Sequence, residues 1–455
     1  MFAEIHHLTY EPSDTSPTSW LKTNWPARYY YEHLFPSIIS SHSPRTPYLP
    51  SSPFSPPSHD LPHRLANDTL TGDTHAWRVW MADQPRLPYQ KYGSISGRFV
   101  SEFGMKSYPC LRTLQAHITD PAQRHPASRV LDAWHMAPED QRTLALYLNE
   151  NFRLGTSLEA YVYATQLLQA EAMDFAVRAF RRNWGGSGKE ECGGSLIWQL
   201  NDCFPAVSWS LVDASSRKKL AWYTIKRAYS PITINASRFV HTTHTPGSNA
   251  HSDVDIVRSI GLQVWASNLT IKPISAILCV RVYEIGGSGA LYEEKMQVLL
   301  DPNRSQELKT YLPLPCTKAS KQLSIVNGVP LTQTVVALTL YAADSCSTTL
   351  ARFIEWPQPL RHLDLSSKTD NDDGISMRIT AGDVKGQRLI KLQASKPIKG
   401  VEIYAKEYDL VLDDNCIDLV PGEEVCVVWT VGKGDGMEGV SDEDVLVRHL
   451  GSCWE

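Results

Sequence analysis

The stretch GRFVSEFGMKSYP, Gly97–Pro109, decides how the first half of the chain is read. Its apolar and aromatic residues make a short strand that ends on Glu102, and Phe103-Gly104 comes next as a turn. In an array of alternating strands and helices, a carboxylate at the C-terminal end of a strand sits where barrel enzymes carry their reacting groups. Taken alone, such an acid reads as a cap or an ion-pair partner. Its neighbours have to decide.

Working outward, GDTHAWRVW (Gly72–Trp80) reads as a strand that sets His75 and Trp77 on one face, two residues apart. GGSLIWQL (Gly193–Leu200) reads as a third strand, apolar on both faces as a parallel sheet under helices requires. It ends in Trp198, Asn201 and Asp202. Three strand ends then present an acid, an aromatic ring or an amide. Sugars need that mixture, because flat apolar faces pack on C–H groups while planar polar groups pair with hydroxyls.

Helices alternate with these strands. NWPARYYYEHLFPSII (Asn24–Ile39) is aromatic and amphipathic, with Pro26 at an early turn where proline is tolerated. The clearest helix lies in Thr156–Trp184, opened by a Thr156-x-x-Glu159 capping box and closed by Arg178, Arg181 and Arg182. RKKLAWYTIKRAY (Arg217–Tyr229) reads as a closing helix, and the proline-dense Arg45–Leu65 as loop. This alternation predicts a parallel α/β array.

The texture changes near Pro231: nine of the 13 tryptophans precede it, and short β-branched runs broken by Gly, Pro, Asn and Asp come after it. VDIVRSIGLQVWASN, ISAILCVRVYEI, EKMQVLL and TVVALTLYA are spaced like a β-sandwich. Ile354–Gly374 reads as a linker, and ISMRITAGD, RLIKLQAS, KGVEIYA and VCVVWTV as a second sandwich. A length of 455 residues suits about three units at roughly 150 residues each.

Bulk properties narrow the function classes. A net charge of −5 gives no basic field for nucleic acid or an anionic membrane. The residues from Arg361 onward hold 11 Lys/Arg against 19 Asp/Glu, which reads as a solvated acidic face. The nine cysteines are scattered and form no C-x-x-C pair, so they read as reduced buried thiols. His6, His7, His59 and His63 lack the spacing of a zinc site, and no metal or cofactor is expected. Trp184–Glu191 lacks the full phosphate-loop pattern. The sequons at Asn67, Asn235, Asn268 and Asn303 read as coincidental. With no leader-like start at Met1 and no apolar run long enough for a membrane, a cytoplasmic location is favoured.

RFVSEFGMKSYP, GDTHAWRVW, WQLNDCFPAVSWSLVD and WYTIKRAYSPI together resemble the catalytic half of β-mannosidases of glycoside hydrolase family 2. WPQPLRHLDLSS (Trp356–Ser367) resembles the join to the terminal immunoglobulin-like domain in the fungal intracellular-type branch. The resemblance implies a multidomain α/β plus all-β chain. Residues 1–230 would be the later part of a (β/α)8 TIM barrel, and 231–360 and 361–455 two immunoglobulin-like β-sandwiches. It implies a retaining mechanism with Glu102 as nucleophile, and His75, Trp77, Trp198 and Asn201 around a terminal β-linked mannose of an oligosaccharide. Ser51-Ser52-Pro53 matches a strand-end motif of the barrel more loosely.

In that family the acid/base is a Glu in an Asn-Glu pair on an earlier strand, and the sequence FAEIHHLTYEPSD resembles the segment just after that pair. The acid/base is therefore expected outside this chain. Asn149-Glu150 falls after the nucleophile, and Glu4 and Glu11 lack the preceding Asn. The chain alone is expected to be poorly soluble and inactive. Two other readings stay open: a non-catalytic carbohydrate-binding or scaffold product, and another family-2 glycosidase specificity.

Overall fold

The computed structural model describes residues 16–23, 25–56, 67–81, 86–137, 140–246, 254–311, 325–326, 329–365, 374–431 and 441–454. The chain divides into two compact units, Met1–Gly104 with Ala179–Trp198, and Met105–Arg178 with Gln199–Glu455.

In the first unit the aromatic amphipathic segment is helical from Ala27 to His42, but not uniformly so. A π-helical turn, Tyr30–Leu34, joins the α-helical pieces Ala27–Tyr29 and Phe35–His42. Strands β1 (Thr74–His75) and β2 (Val100–Glu102) pair in parallel, Thr74 with Val100 and His75 with Glu102. Ser101 is the extra residue of that register shift, a bulge of the kind that re-aims side chains. The two strands approach so closely that a Cβ on Gly97 would stand 2.5 Å from Thr74 Oγ1. Beneath β2, Tyr92, Phe103 and Phe180 meet edge to face, with Phe103 and Phe180 centroids 5.2 Å apart.

Two strand expectations change here. The strand of GDTHAWRVW stops at His75, because Trp77–Trp80 curl into a turn closed by the Trp80 N–H on Trp77 O at 2.9 Å. Gly193–Leu200 runs beside β2 as an extended segment with one parallel bridge, Val100 to Ser195. It is not buried on both faces: Leu196, Trp198 and Leu200 are 55%, 42% and 58% exposed.

In the second unit the long helix α1 (Leu158–Arg182) begins one residue later than the capping box predicts. Ser157, not Thr156, caps it by accepting the Ala160 N–H at 3.1 Å. Val162 to Met173 are buried without a break, the pattern of a helix covered all round. Gln169 explains how a polar residue survives there. Its amide donates to the carbonyls of Met105, Trp209 and Ser210 and accepts from the Ser107 hydroxyl.

The first sandwich is antiparallel throughout. One sheet has the order β7 (Ser345–Glu355), β6 (Thr334–Ala342), Ile274–Glu284 and Ala290–Leu300. The other orders Ile232–Pro246, Val254–Asn268 and Arg304–Tyr311. Ile234, Val264, Leu278, Val280, Leu338 and Leu340 form its core. Strand β6 is buried on both faces up to Leu340, because the opposite side of its sheet meets the terminal domain. There Arg281 and Arg352 both pair with Glu423, and the Tyr283 hydroxyl donates to Pro421 O at 3.2 Å.

The terminal sandwich joins a four-stranded sheet (Ile375–Ala381, Gln387–Ala394, Glu424–Thr430, Val411–Leu412) to a three-stranded one (Ile417–Leu419, Ile398–Tyr404, Leu446–Arg448). Its core includes Ile390, Leu392, Val427 and Trp429, and also Tyr223 from the closing helix Leu220–Ala228. Helix α1 is fastened to the same domain. The Tyr163 hydroxyl donates to Gly400 O at 2.7 Å, where Gly400 has φ +67° and a Cβ would crowd that hydroxyl. Lys399 bridges Glu171 and Asp418; burial opposes its charge, but the two carboxylates outweigh burial and hold its pKa above the ordinary lysine value.

The expected linker is partly structured. Ile354 and Glu355 complete strand β7, and Trp356, Leu360, Leu363 and Leu365 are buried along the described part of the segment. The reason is composition, since apolar residues recur closely enough along it to be buried.

Candidate active site

The site in the first unit is built from three short segments, each with few backbone bonds. Strand β2 carries Glu102, β1 carries His75, and the turn after β1 carries Trp77. The Ala76 N–H donates to Glu102 O at 2.7 Å, which fixes the ends of the two strands together. His75 N–H donates to the side-chain oxygen of Asn67 at 2.7 Å. Asn67 itself sits at φ +69°.

Two nitrogens converge on one oxygen of Glu102. The Trp77 indole N–H donates to Oε2 at 3.1 Å, and His75 Nδ1 lies 3.3 Å from the same atom. Glu102 remains 25% exposed, whereas the His75 side chain is only 4% exposed. His75 and Trp77 are expected on one face of a single strand; the strand ends at His75, and the turn after it brings the Trp77 indole to the same Glu102 oxygen. His75 spends its ring on Glu102 and on Ser52, whose Oγ is 3.1 Å from Nε2.

Behind His75 lies a group that sequence reasoning missed. Asp73 is buried, and its Oδ1 accepts the Phe54 N–H at 2.7 Å. Its Oδ2 accepts from Ser52 at 2.6 Å and from the bulged Ser101 at 2.5 Å. A buried carboxylate is tolerable when its lone pairs are filled this way. The signal was faint but present: Asp73 stands two before His75, and a small hydroxyl residue stands next to Glu102.

Trp198 belongs to the first unit, where its N–H donates to Phe103 O at 3.0 Å and much of its side chain is in solvent. Asn201 belongs to the second unit and is exposed. Next to it, Asp202 accepts from Ser208 and Ser210, both at 2.6 Å, and from Gln199 at 3.0 Å. Glu150 is an exposed residue near the end of the helix Asp140–Asn151, as a solvent-facing acid should be. Glu4, Glu11, His6, His7, His59 and His63 lie outside the described residues.

Other features resolve simply. Gly186 and Gly188, both at positive φ, close a tight turn between bridged Trp184 and Glu190, which accounts for the glycine-rich run. Asn235 and Asn268 are buried in sandwich strands and inaccessible to glycosylation. Among the described residues there is no disulfide, no cluster of metal-ligating side chains, and no helix long and apolar enough to cross a membrane.

Comparison with known proteins matches this anatomy. Residues 261–362 match the Mannosidase Ig/CBM-like domain family, and residues 371–453 the Ig-fold domain family. The chain is 33% identical to β-mannosidase B of Thermothelomyces thermophilus over 99% of its own length and 49% of that protein's. It is 32% identical to β-mannosidase B of Aspergillus niger over 98% of this chain and 48% of the other. The crystal structure of β-D-mannosidase from Dictyoglomus thermophilum shares its fold, with a TM-score of 0.72 at 21% identity over 93% of this chain and 45% of that one. An exo-chitosanase from Amycolatopsis orientalis superposes less closely, with a TM-score of 0.57 at 16% identity over 92% of this chain and 49% of that one. The chain spans about half the length of the curated relatives it matches. With both mannosidase-type domains and nearly its whole length aligned to such enzymes, it belongs to the β-mannosidase family, within glycoside hydrolase family 2.

Proposed function

We propose that this chain carries the nucleophile half of a retaining β-mannosidase acting on terminal, non-reducing β-D-mannose of oligosaccharides. The observation that supports this best is Glu102, at the end of a parallel strand with Oε2 held by Trp77 and His75. Among the described residues Oε1 carries no such bond, so its lone pair is the one available to a sugar. In the first step Oε1 bonds to the anomeric carbon as the bond to the leaving oxygen breaks, through an oxocarbenium-like transition state. The leaving oxygen takes a proton from a second carboxyl group, which retention puts roughly 5–5.5 Å from the first. Water, deprotonated by that same group, then displaces Glu102 from the sugar.

By family likeness the second carboxyl group is a Glu on an earlier strand of the barrel, in the part of the relatives' length that this chain does not span. Residues 1–230 are the later part of a (β/α)8 barrel, and 231–360 and 361–455 the two immunoglobulin-like domains. The parallel register of β1, β2 and the Ser195 segment supports the first of these assignments. By family likeness Trp198 and Asn201 are further sugar contacts. No metal or cofactor enters any step.

The test is a pair of measurements. The chain alone should hydrolyse aryl β-mannoside at only a trace of the normal rate, since a missing general acid forfeits about 10²–10⁴ in rate. In the enzyme of full relative length, a 2-fluoro-mannosyl label should attach to Glu102, and Glu102→Gln should abolish turnover. A label on another residue, or a normal rate from the chain alone, would overturn the proposal. Aryl glucosaminide and galactoside, run alongside, test the sugar specificity.

A further inference from the structure

We infer that His75 carries a proton on both ring nitrogens in the resting protein, and that Asp73, acting through Ser52, makes it do so. Each hydroxyl has one proton to give. Ser101 gives its own to Asp73 Oδ2 at 2.5 Å, its other acceptor being Thr74 O at a looser 3.3 Å. Ser52 gives its own to the same oxygen at 2.6 Å, its other hydroxyl partner, Ser101 Oγ, being a looser 3.2 Å away. Ser52 Oγ then offers only lone pairs to His75 Nε2, 3.1 Å away, so that nitrogen must be the donor.

The state of the other ring nitrogen is set by Glu102. Nδ1 lies 3.3 Å from Glu102 Oε2. In a neutral ring with its proton on Nε2, Nδ1 would aim a lone pair at a carboxylate, which is repulsive. A second proton turns the same contact into a charge-assisted hydrogen bond. Among the described residues, the groups that face the ring include Glu102 from β2, Ser52 from the Ser51–Pro53 segment, and the Trp77 indole beside the shared oxygen; Asp73 stands behind Ser52. The only charges in that set are two carboxylates, and both favour a cation between them.

The consequence rests on the reading of Glu102 as nucleophile. A cation against Oε2 stabilises Glu102 as a departing carboxylate, so it favours the second step, in which the glycosyl–Glu102 bond breaks. His75 is then a positioning residue for the nucleophile and not a sugar contact. Asp73, Ser52 and Ser101 orient it in turn.

The test reads protons and not turnover, so it stands whether or not the chain proves to be a mannosidase. The 455-residue chain, labelled with ¹⁵N-histidine, is compared with His75→Gln to assign the His75 ring by NMR. At pH 7 both His75 nitrogens should show the shifts of protonated imidazolium. Glu102→Gln, which alters no buried contact behind the ring, should return one nitrogen to the unprotonated range. Asp73→Asn should leave a neutral ring with its proton on Nδ1, because Ser52 can then donate to Nε2. Where Asp73→Asn fails to fold, Ser52→Ala supplies the same comparison, with loss of the Nε2 hydrogen bond as its signature. An unprotonated nitrogen in the unaltered chain at pH 7, or a His75 signature unmoved by Glu102→Gln, overturns the inference.

Discussion

The unit that holds Glu102 and the unit that holds the sandwiches keep their shape by different means. In the first, the strands at the site are two and three residues long. Their geometry is set by hydrogen bonds converging on two carboxylates, Asp73 and Glu102. In the second, most sandwich strands run for seven to 15 residues and pack over apolar cores. The first unit also leaves Leu21, Tyr30, Phe35, Ile38, Met81, Leu196 and Trp198 substantially exposed. Side-chain hydrogen bonds decide geometry at the candidate site, whereas burial holds the sandwiches together. Substitutions should therefore divide the same way, and measurements of stability can break that division.

The largest effect should come from Trp429→Ala in the terminal sandwich. Trp429 is fully buried among Ile390, Leu392 and Val427, and truncating such a side chain costs about 3–5 kcal/mol. Chemical denaturation followed by the fluorescence of the remaining tryptophans should show the loss in midpoint. Trp429→Phe should cost much less, since the indole N–H it removes has no partner among the described residues. A loss under about 1 kcal/mol for Trp429→Ala would mean that the sandwich core is not the seat of stability.

The next effect is a dependence on pH, and it also belongs to the second unit. Both ring nitrogens of His135 are buried without a hydrogen-bond partner among the described residues. Burial, and after it the Lys106 ammonium, push its pKa down from 6.5 to about 4. Between those values the unfolded chain binds a proton that the folded chain refuses. Stability from this group is therefore complete above pH 6.5 and declines as the pH falls towards about 4. Urea midpoints at pH 7 and pH 5 should differ in that sense, and His135→Leu should flatten the difference. A midpoint that rises on acidification, by the same amount in both proteins, would show that His135 plays no such part.

How much of this was legible in the sequence obeys the same division. Long β-branched alternation gives the sandwich strands, and a capped apolar run gives the helix Leu158–Arg182, because many residues vote on each. Glu102 is legible as a strand-end acid for a different reason: an apolar, aromatic run leads directly into it and a Phe-Gly turn follows it. Trp77 is not, since a two-residue strand has no period to extend, and the turn that swings the indole onto Glu102 leaves no pattern. Asp73 leaves only a faint signal because its partners, Ser52 and Ser101, are distant in sequence. Strand β6 misleads in the opposite direction, being buried on both faces by a domain that its own residues do not announce.

The smallest effect on stability should come from the segment that departs most from its expected burial. Along Ser195–Leu200 exposure alternates, with Leu196, Trp198 and Leu200 on the open side and Ser195, Ile197 and Gln199 less exposed. Backbone bonds to β2 hold the segment in place: Leu196 N–H donates to Val100 O at 2.8 Å and Val100 N–H to Gly194 O at 2.9 Å. Leu196→Ser with Trp198→Ser removes apolar surface that folding has not buried, so the midpoint should move by no more than about 0.5 kcal/mol. The same pair should lower the binding of an apolar dye to the folded chain and slow its aggregation, because contiguous exposed apolar surface drives both. A loss of several kcal/mol would instead mean that these side chains are buried in solution, and that the first unit, like the second, owes its stability to a closed apolar face.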